Sequence, residues 1–186
     1  MINAVMFAVV ATAALQARSS ALLADSLDNL GDALTYALSL YAVGRGARAK
    51  AWVALFKGGL ILTAALAVAV QLGWRLIEPV EPLFEWMGAF SLLALAANGV
   101  CFWLLSRHRH EDLNMSSVWE CSRNDIAANL AVLLAAGGVW VTGSAWPDWL
   151  VAAGLLVLLA RSSVRVIGAA LAQLRLRADM GLDGTV

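Results

Sequence analysis

What most constrains this 186-residue chain is how little of it can face water. From residue 2 to about residue 170, apolar stretches long enough to cross a bilayer follow one another, parted only by short charged or helix-breaking segments. The chain is 61% hydrophobic and 14% charged, with a mean hydropathy of +0.77; soluble domains run nearer about 45–50% apolar and 25% charged. So few charges cannot cover that much apolar surface, so the bilayer acts as solvent. Inside it only helices or closed barrels pair every backbone group. At roughly 20 residues per helical span, the length accommodates six helices and little else.

The expected fold is therefore an all-α integral membrane protein, a bundle of six transmembrane helices at about 2–17, 20–43, 51–74, 83–106, 117–142 and 148–170. The breaks between them are chemical. Residues 44–48 (Gly-Arg-Gly-Ala-Arg) part the second and third, and Glu78, Pro79, Glu81 and Pro82 part the third and fourth. The charged run 107–112, which holds His108 and His110, parts the fourth and fifth; Gly143 to Asp148 forms a tight turn with Pro147 at the start of the sixth. Residues 1–171 make one membrane domain, and 172–186 a short tail with no cytoplasmic metal-binding domain. The apolar N-terminus has no basic residue ahead of it, so it reads as a first span rather than a secretory signal.

Lys and Arg set the expected orientation. Arg45, Arg48 and Lys50, then Arg107 and Arg109, then Arg161, Arg165, Arg175 and Arg177 fall on one side, against Arg18 and Arg75 on the other. Both termini should be cytoplasmic, with Trp74, Trp86, Trp146 and Trp149 anchoring the opposite interface. The expected location is the bacterial inner (plasma) membrane. Formal net charge is zero, and no nucleic-acid partner is expected. Cys101 and Cys121 lie in apolar stretches, which argues against a disulfide framework.

Against this background the acids of the second span stand out. Asp25, Asp28 and Asp32 are spaced i, i+3, i+7, so one helical face carries all three carboxylates with Asn29 beside them. Each mid-helix Asp costs roughly 2.5–3.5 kcal/mol to insert, which calls for a purpose. Acids at a helix start would instead favour the N-terminal dipole, a reading that suits Asp25 better than the deeper pair. In the fifth span Ser117, Cys121, Asp125 and Asn129 recur every four residues as one polar stripe, while Glu120 and Arg123 can neutralise each other on an adjacent face. Cys121 alone would read as a small buried hydrophobe; one turn before Asp125 it reads as a ligand. Asp28, Asp32, Cys121 and Asp125 together offer three carboxylates and a thiol, a set suited to a tetrahedral cation of borderline softness. Without a cation such groups repel and bind protons, so metal entry would release protons. Asp25, Asn29 and Asn129 would support these ligands. His108 and His110 could capture metal but read more simply as part of a solvated loop. Asn98, Gly58 and Gly59 suit helix packing, and Lys57 suits a snorkelling position.

These residues resemble the cation diffusion facilitator family of divalent metal/proton antiporters. The likeness rests on Ser20 to Ser26 leading into Asp28-x3-Asp32, on Cys121-x3-Asp125-x3-Asn129, and on Pro147-Asp148 opening the last span. It implies that Asp28, Asp32 and Asp125 belong to an intramembrane transport site, with Cys121 standing where the family usually has His or Asp. A thiolate there favours zinc or cadmium, with cobalt, iron or manganese as further candidates. The metal is cargo, and no prosthetic group is expected. The resemblance also implies a homodimer that expels metal in exchange for protons by alternating access. Uptake, a passive path and a non-transporting metal-sensing subunit remain open alternatives. A membrane enzyme with Cys121 as nucleophile is disfavoured, since no span contains a His to activate the thiol.

Overall fold

The computed structural model describes residues 2–42, 44, 46–106 and 113–179. These form six α-helices: α1 (Ile2–Ala17), α2 (Ser20–Ala42), α3 (Ala47–Ile77), α4 (Phe84–Ser106), α5 (Leu113–Thr142) and α6 (Trp146–Asp179). Among the described residues there is no strand. Helices α3, α5 and α6 run several residues beyond the expected spans. Hydropathy marks where apolar sequence ends, but a helix continues until something stops it. In α3 that is Pro79, just after Glu78 donates its N–H to the Trp74 carbonyl at 2.8 Å. Nothing in the Ala-, Leu- and Arg-rich sequence after residue 170 stops α6 before Asp179.

Among the described residues, four helices are long and apolar enough to cross a membrane: Arg48–Ile77, Phe84–Trp103, Arg123–Thr142 and Trp146–Leu176. Helix α1 is apolar but only 16 residues long, and α2 carries three aspartates. Burial is inverted relative to a water-soluble protein. Leu66, Val70, Leu134, Val141, Leu158 and Val164 are exposed, whereas Ser19, Ser20, Ser26, Asn98, Asn129 and Asp148 are buried. Apolar side chains gain nothing by hiding from lipid; polar ones must find partners inside.

Packing divides the helices. Helix α3 lies chiefly against α6, and α4 against α5, while α1 and α2 pair with each other. The α3–α6 contact is close because Gly58 lacks a side chain. A Cβ there would lie 2.5 Å from Ile167 Cγ1 and 3.2 Å from the Ile167 backbone nitrogen. This approach also lets the buried Ser163 hydroxyl donate to the Gly58 carbonyl at 3.0 Å. The core that joins all six helices is built of Val10, Leu22, Val68, Met87, Val132 and Leu159 with many alanines.

One end of the bundle is fastened with unusual completeness. Helix α1 ends with Arg18 in the left-handed region (φ 54°), and Ser19 N–H bonds back to the Ala14 carbonyl at 3.1 Å, a Schellman closure. Ser19 then caps α2, its Oγ accepting the Leu22 N–H at 3.0 Å. Asp148, from the first turn of α6, accepts the Ser20 N–H at 2.8 Å, the Ala21 N–H at 3.1 Å and the Ser19 hydroxyl. A buried carboxylate thus meets the free N–H groups and positive dipole end of α2. Leu83 N–H bonds to the Ala17 carbonyl at 2.9 Å, bringing the start of α4 to the same level.

Candidate functional site

The fastening fixes direction. Helix α5 ends at Thr142, a short turn through Gly143 (φ 57°) leads into α6, and Asp148 touches the first turn of α2. The C-terminal end of α5 and the N-terminal end of α2 therefore lie at one end of the bundle, and the two helices run antiparallel. They are in direct contact. Along both, the polar residues sit well inside the helix, which the 1.5 Å rise per residue places roughly 7–20 Å from that end on α2.

On α2, Asp25 is 1% exposed and Asn29 4%, while Asp28 and Asp32 are half-buried. On α5, Asp125 is buried and Asn129 is fully so. Asp125 lies within electrostatic range of Asp32, Asp28 and Asp25, in that order of influence. The structure thus brings together the acids of two helices almost a hundred residues apart. Among the described residues, no three Asp, Glu, His or Cys side chains converge closely enough to hold one ion. Of the expected set, Cys121 lies on α5, but its side chain is outside the described residues, as are His108 and His110.

The asparagines have a specific arrangement. Asn29 Nδ2 donates to the Asp25 backbone carbonyl at 3.0 Å, and Asn129 Nδ2 donates to the Asp125 backbone carbonyl at 2.8 Å. Each Asn sits four residues after an Asp and is pinned by the same bond to that residue's carbonyl. Reversing either amide would set oxygen against oxygen, so the orientation follows from the chemistry.

Two neighbours of the site escaped the sequence reading. Asn3 on α1 directs Nδ2 toward Asp32 Oδ2 at 3.4 Å. An Asn inside an otherwise apolar span is the signal that could have found it. Cys101 on α4 is half-buried and within electrostatic range of Asp125. Its own span gives no motif that points there; only the α4–α5 packing does.

Buried acids on facing membrane helices, flanked by oriented amides, suit the passage of a cation. Comparison with curated proteins finds no match. Residues 1–174, nearly the whole chain, match the cation efflux transmembrane domain. The chain belongs to the cation efflux, or cation diffusion facilitator, family: it is an integral membrane protein that transports divalent cations.

Proposed function

We propose that the protein exports a divalent transition metal, zinc above all, in exchange for protons, by alternating access. The observation that carries this reading is the position of buried Asp125 within electrostatic range of three aspartates on the facing helix. Carboxylates gathered in a low-dielectric setting are stable when they share a cation or protons. The two occupants compete for the same oxygens, so metal arriving drives protons off, and the reverse. Asp28, Asp32, Cys121 and Asp125 form the transport site. A mixed oxygen and sulfur set suits zinc and cadmium better than manganese, with cobalt and iron as weaker substrates.

In this reading all six helices cross the bacterial inner membrane, both termini face the cytoplasm, and the protein works as a homodimer. Residues 1–171 carry the transport path. The closely packed α3–α6 pair supplies one body and the remaining helices another, whose relative movement exposes the site to each side in turn.

The test is flux in proteoliposomes. Purified protein with an imposed pH gradient should accumulate zinc against its concentration gradient, and collapsing the pH gradient should stop it. Zinc that only equilibrates, with or without the gradient, would reduce the protein to a passive path. No flux together with tight zinc binding would make it a sensor.

A further inference from the structure

The leucines of α2 sit opposite its acids. Leu27, Leu30 and Leu34 repeat the i, i+3, i+7 spacing of Asp25, Asp28 and Asp32 two residues later, and that offset turns a helix by about 200°. The acids lie toward Asp125 on α5; the leucines lie toward α3. There, with Lys57, Leu60 and Ala64, they line a cleft of about 190 Å³ between the two helices. Its floor is the buried Ile61, which a Cβ on Gly31 would meet at an ordinary 3.7 Å. Its mouth, at Thr63 and Ala67, is exposed. The helices part here because α3 offers alanines where α2 offers its leucines.

Depth identifies what fits. Along α3 the cleft runs from Lys57 to Ala67, roughly 15 Å at the helical rise, which is one leaflet of a hydrocarbon core about 30 Å thick. Arg75 lies within electrostatic range of Asp148 and so marks the fastened end of the bundle. Lys57 lies roughly 27 Å further along the helix, so the two cations bracket the hydrocarbon and Lys57 stands at the opposite headgroup level. A helical side chain leans toward its own N-terminus. On α3 that carries the Lys57 ammonium toward the headgroups while its stem borders the cleft. A slot open to hydrocarbon either takes in a chain or forfeits dispersion contacts along its walls.

We propose that the α2–α3 cleft holds one anionic phospholipid from the leaflet at the Lys57 end. An acyl chain lies between the leucines of α2 and Leu60 and Ala64 of α3, and the phosphate sits on the Lys57 ammonium. Charge favours a lipid over a second copy of the chain. Helix α3 contains no acidic residue, none lines the cleft, and the acids of α2 are turned the other way. Two copies related by an axis along the membrane normal hold equal residues at equal depth. Packing on this face would set the two Lys57 side chains at one level with no acid from either face to balance them. A phosphodiester supplies the negative charge that the face lacks. The cleft also lies on the seam between the two bodies proposed to move, although the lipid site does not depend on that reading.

Native mass spectrometry of the full-length protein tests this, after release from nanodiscs of phosphatidylglycerol and phosphatidylcholine in equal amounts with matched chains. Wild type should retain one phospholipid per chain, with phosphatidylglycerol preferred by about fivefold, the weight of one cation at a lipid surface. Lys57→Gln should still retain a lipid but lose the preference, because the slot is unchanged. Ala64→Trp fills the slot and should lose the retained lipid; if that protein fails to fold, Lys57→Gln still decides. Arg161→Gln, which removes an exposed cation outside the cleft, should behave as wild type. Equal retention of the two lipids by wild type, or an undiminished preference in Lys57→Gln, would overturn the proposal. So would a lipid-free wild-type dimer that Ala64→Trp converts to monomer, which would assign the cleft to a second copy. Zinc enters none of these measurements, so failure of the transport reading and failure of this one are told apart.

Discussion

Asp148 and Asp125 are the same residue type, both buried in the same bundle, yet their surroundings differ completely. Asp148 accepts two backbone N–H groups and a hydroxyl, all from the first turn of α2 and its cap. Its charge is answered within the fold, and it holds α6 to the α1–α2 junction. Around Asp125 the nearby charges are further aspartates, and Asn129, one turn on, turns its nitrogen to the backbone rather than to a carboxylate. One carboxylate is part of the scaffold. In the function proposed above, the other holds a cation or proton that comes and goes. Burial of an acid in a membrane protein does not by itself mark function; the hydrogen-bond accounting around it does.

The comparison breaks first at the transport site. Asp125→Ala or Asp32→Ala should abolish zinc flux in proteoliposomes while leaving expression and the gel-filtration profile unchanged, since the bonds that fasten the end of the bundle run to Asp148 and not to these residues. Wild-type flux from either protein would refute the assignment.

The scaffold acid should fail in the opposite sense. Asp148→Ala leaves the Ser20 and Ala21 N–H groups and the Ser19 hydroxyl without their acceptor, at about 1–3 kcal/mol for each buried group. The midpoint of thermal unfolding should fall by several degrees, and protein that remains folded should bind zinc with wild-type affinity. Asp148→Asn keeps one acceptor oxygen and should lose less. A stable Asp148→Ala protein with impaired zinc binding would erase the distinction drawn here.

A smaller effect sharpens the site rather than breaking it. Thiolate is a softer ligand than imidazole or carboxylate, so Cys121→His should keep zinc transport while cadmium loses ground, and Cys121→Asp should move preference toward manganese. Competition between zinc and cadmium in the flux assay reads this directly. An unchanged ratio in both proteins would mean that Cys121 only packs.

The smallest effect belongs to Asn3. Its bond to Asp32 is long, at 3.4 Å, so Asn3→Ala should raise the KM for zinc by about two- to tenfold with kcat little changed, the range expected for one ordinary hydrogen bond. A fall in kcat instead would place Asn3 in the movement between states.

Much of this was legible in the sequence. A 61% hydrophobic chain with so few charges has no folded option outside a bilayer, and prolines and charge runs mark where each helix must break. The spacing of Asp25, Asp28 and Asp32 puts them on one face because helical geometry is local. The same holds for Cys121, Asp125 and Asn129, and those two motifs carried the family resemblance that the match over residues 1–174 establishes. Helix ends were read less well, since α3, α5 and α6 continue into polar sequence that hydropathy alone counts as loop.

Other features are decided by distance in space, which no single helix encodes. Asp148 read as part of a turn; only folding places it 127 to 129 residues away in sequence, on the cap of α2. Asn3 and Cys101 approach the acids because α1 packs on α2 and α4 on α5. The orientation of Asn29 and Asn129 is local in its bond yet tertiary in its consequence: a pinned amide matters only when its free oxygen is sealed from water by neighbouring helices. Periodicity determines which residues share a face, because backbone geometry repeats along the chain. Packing between helices determines which faces meet, and so whether a buried acid finds donors or finds other acids.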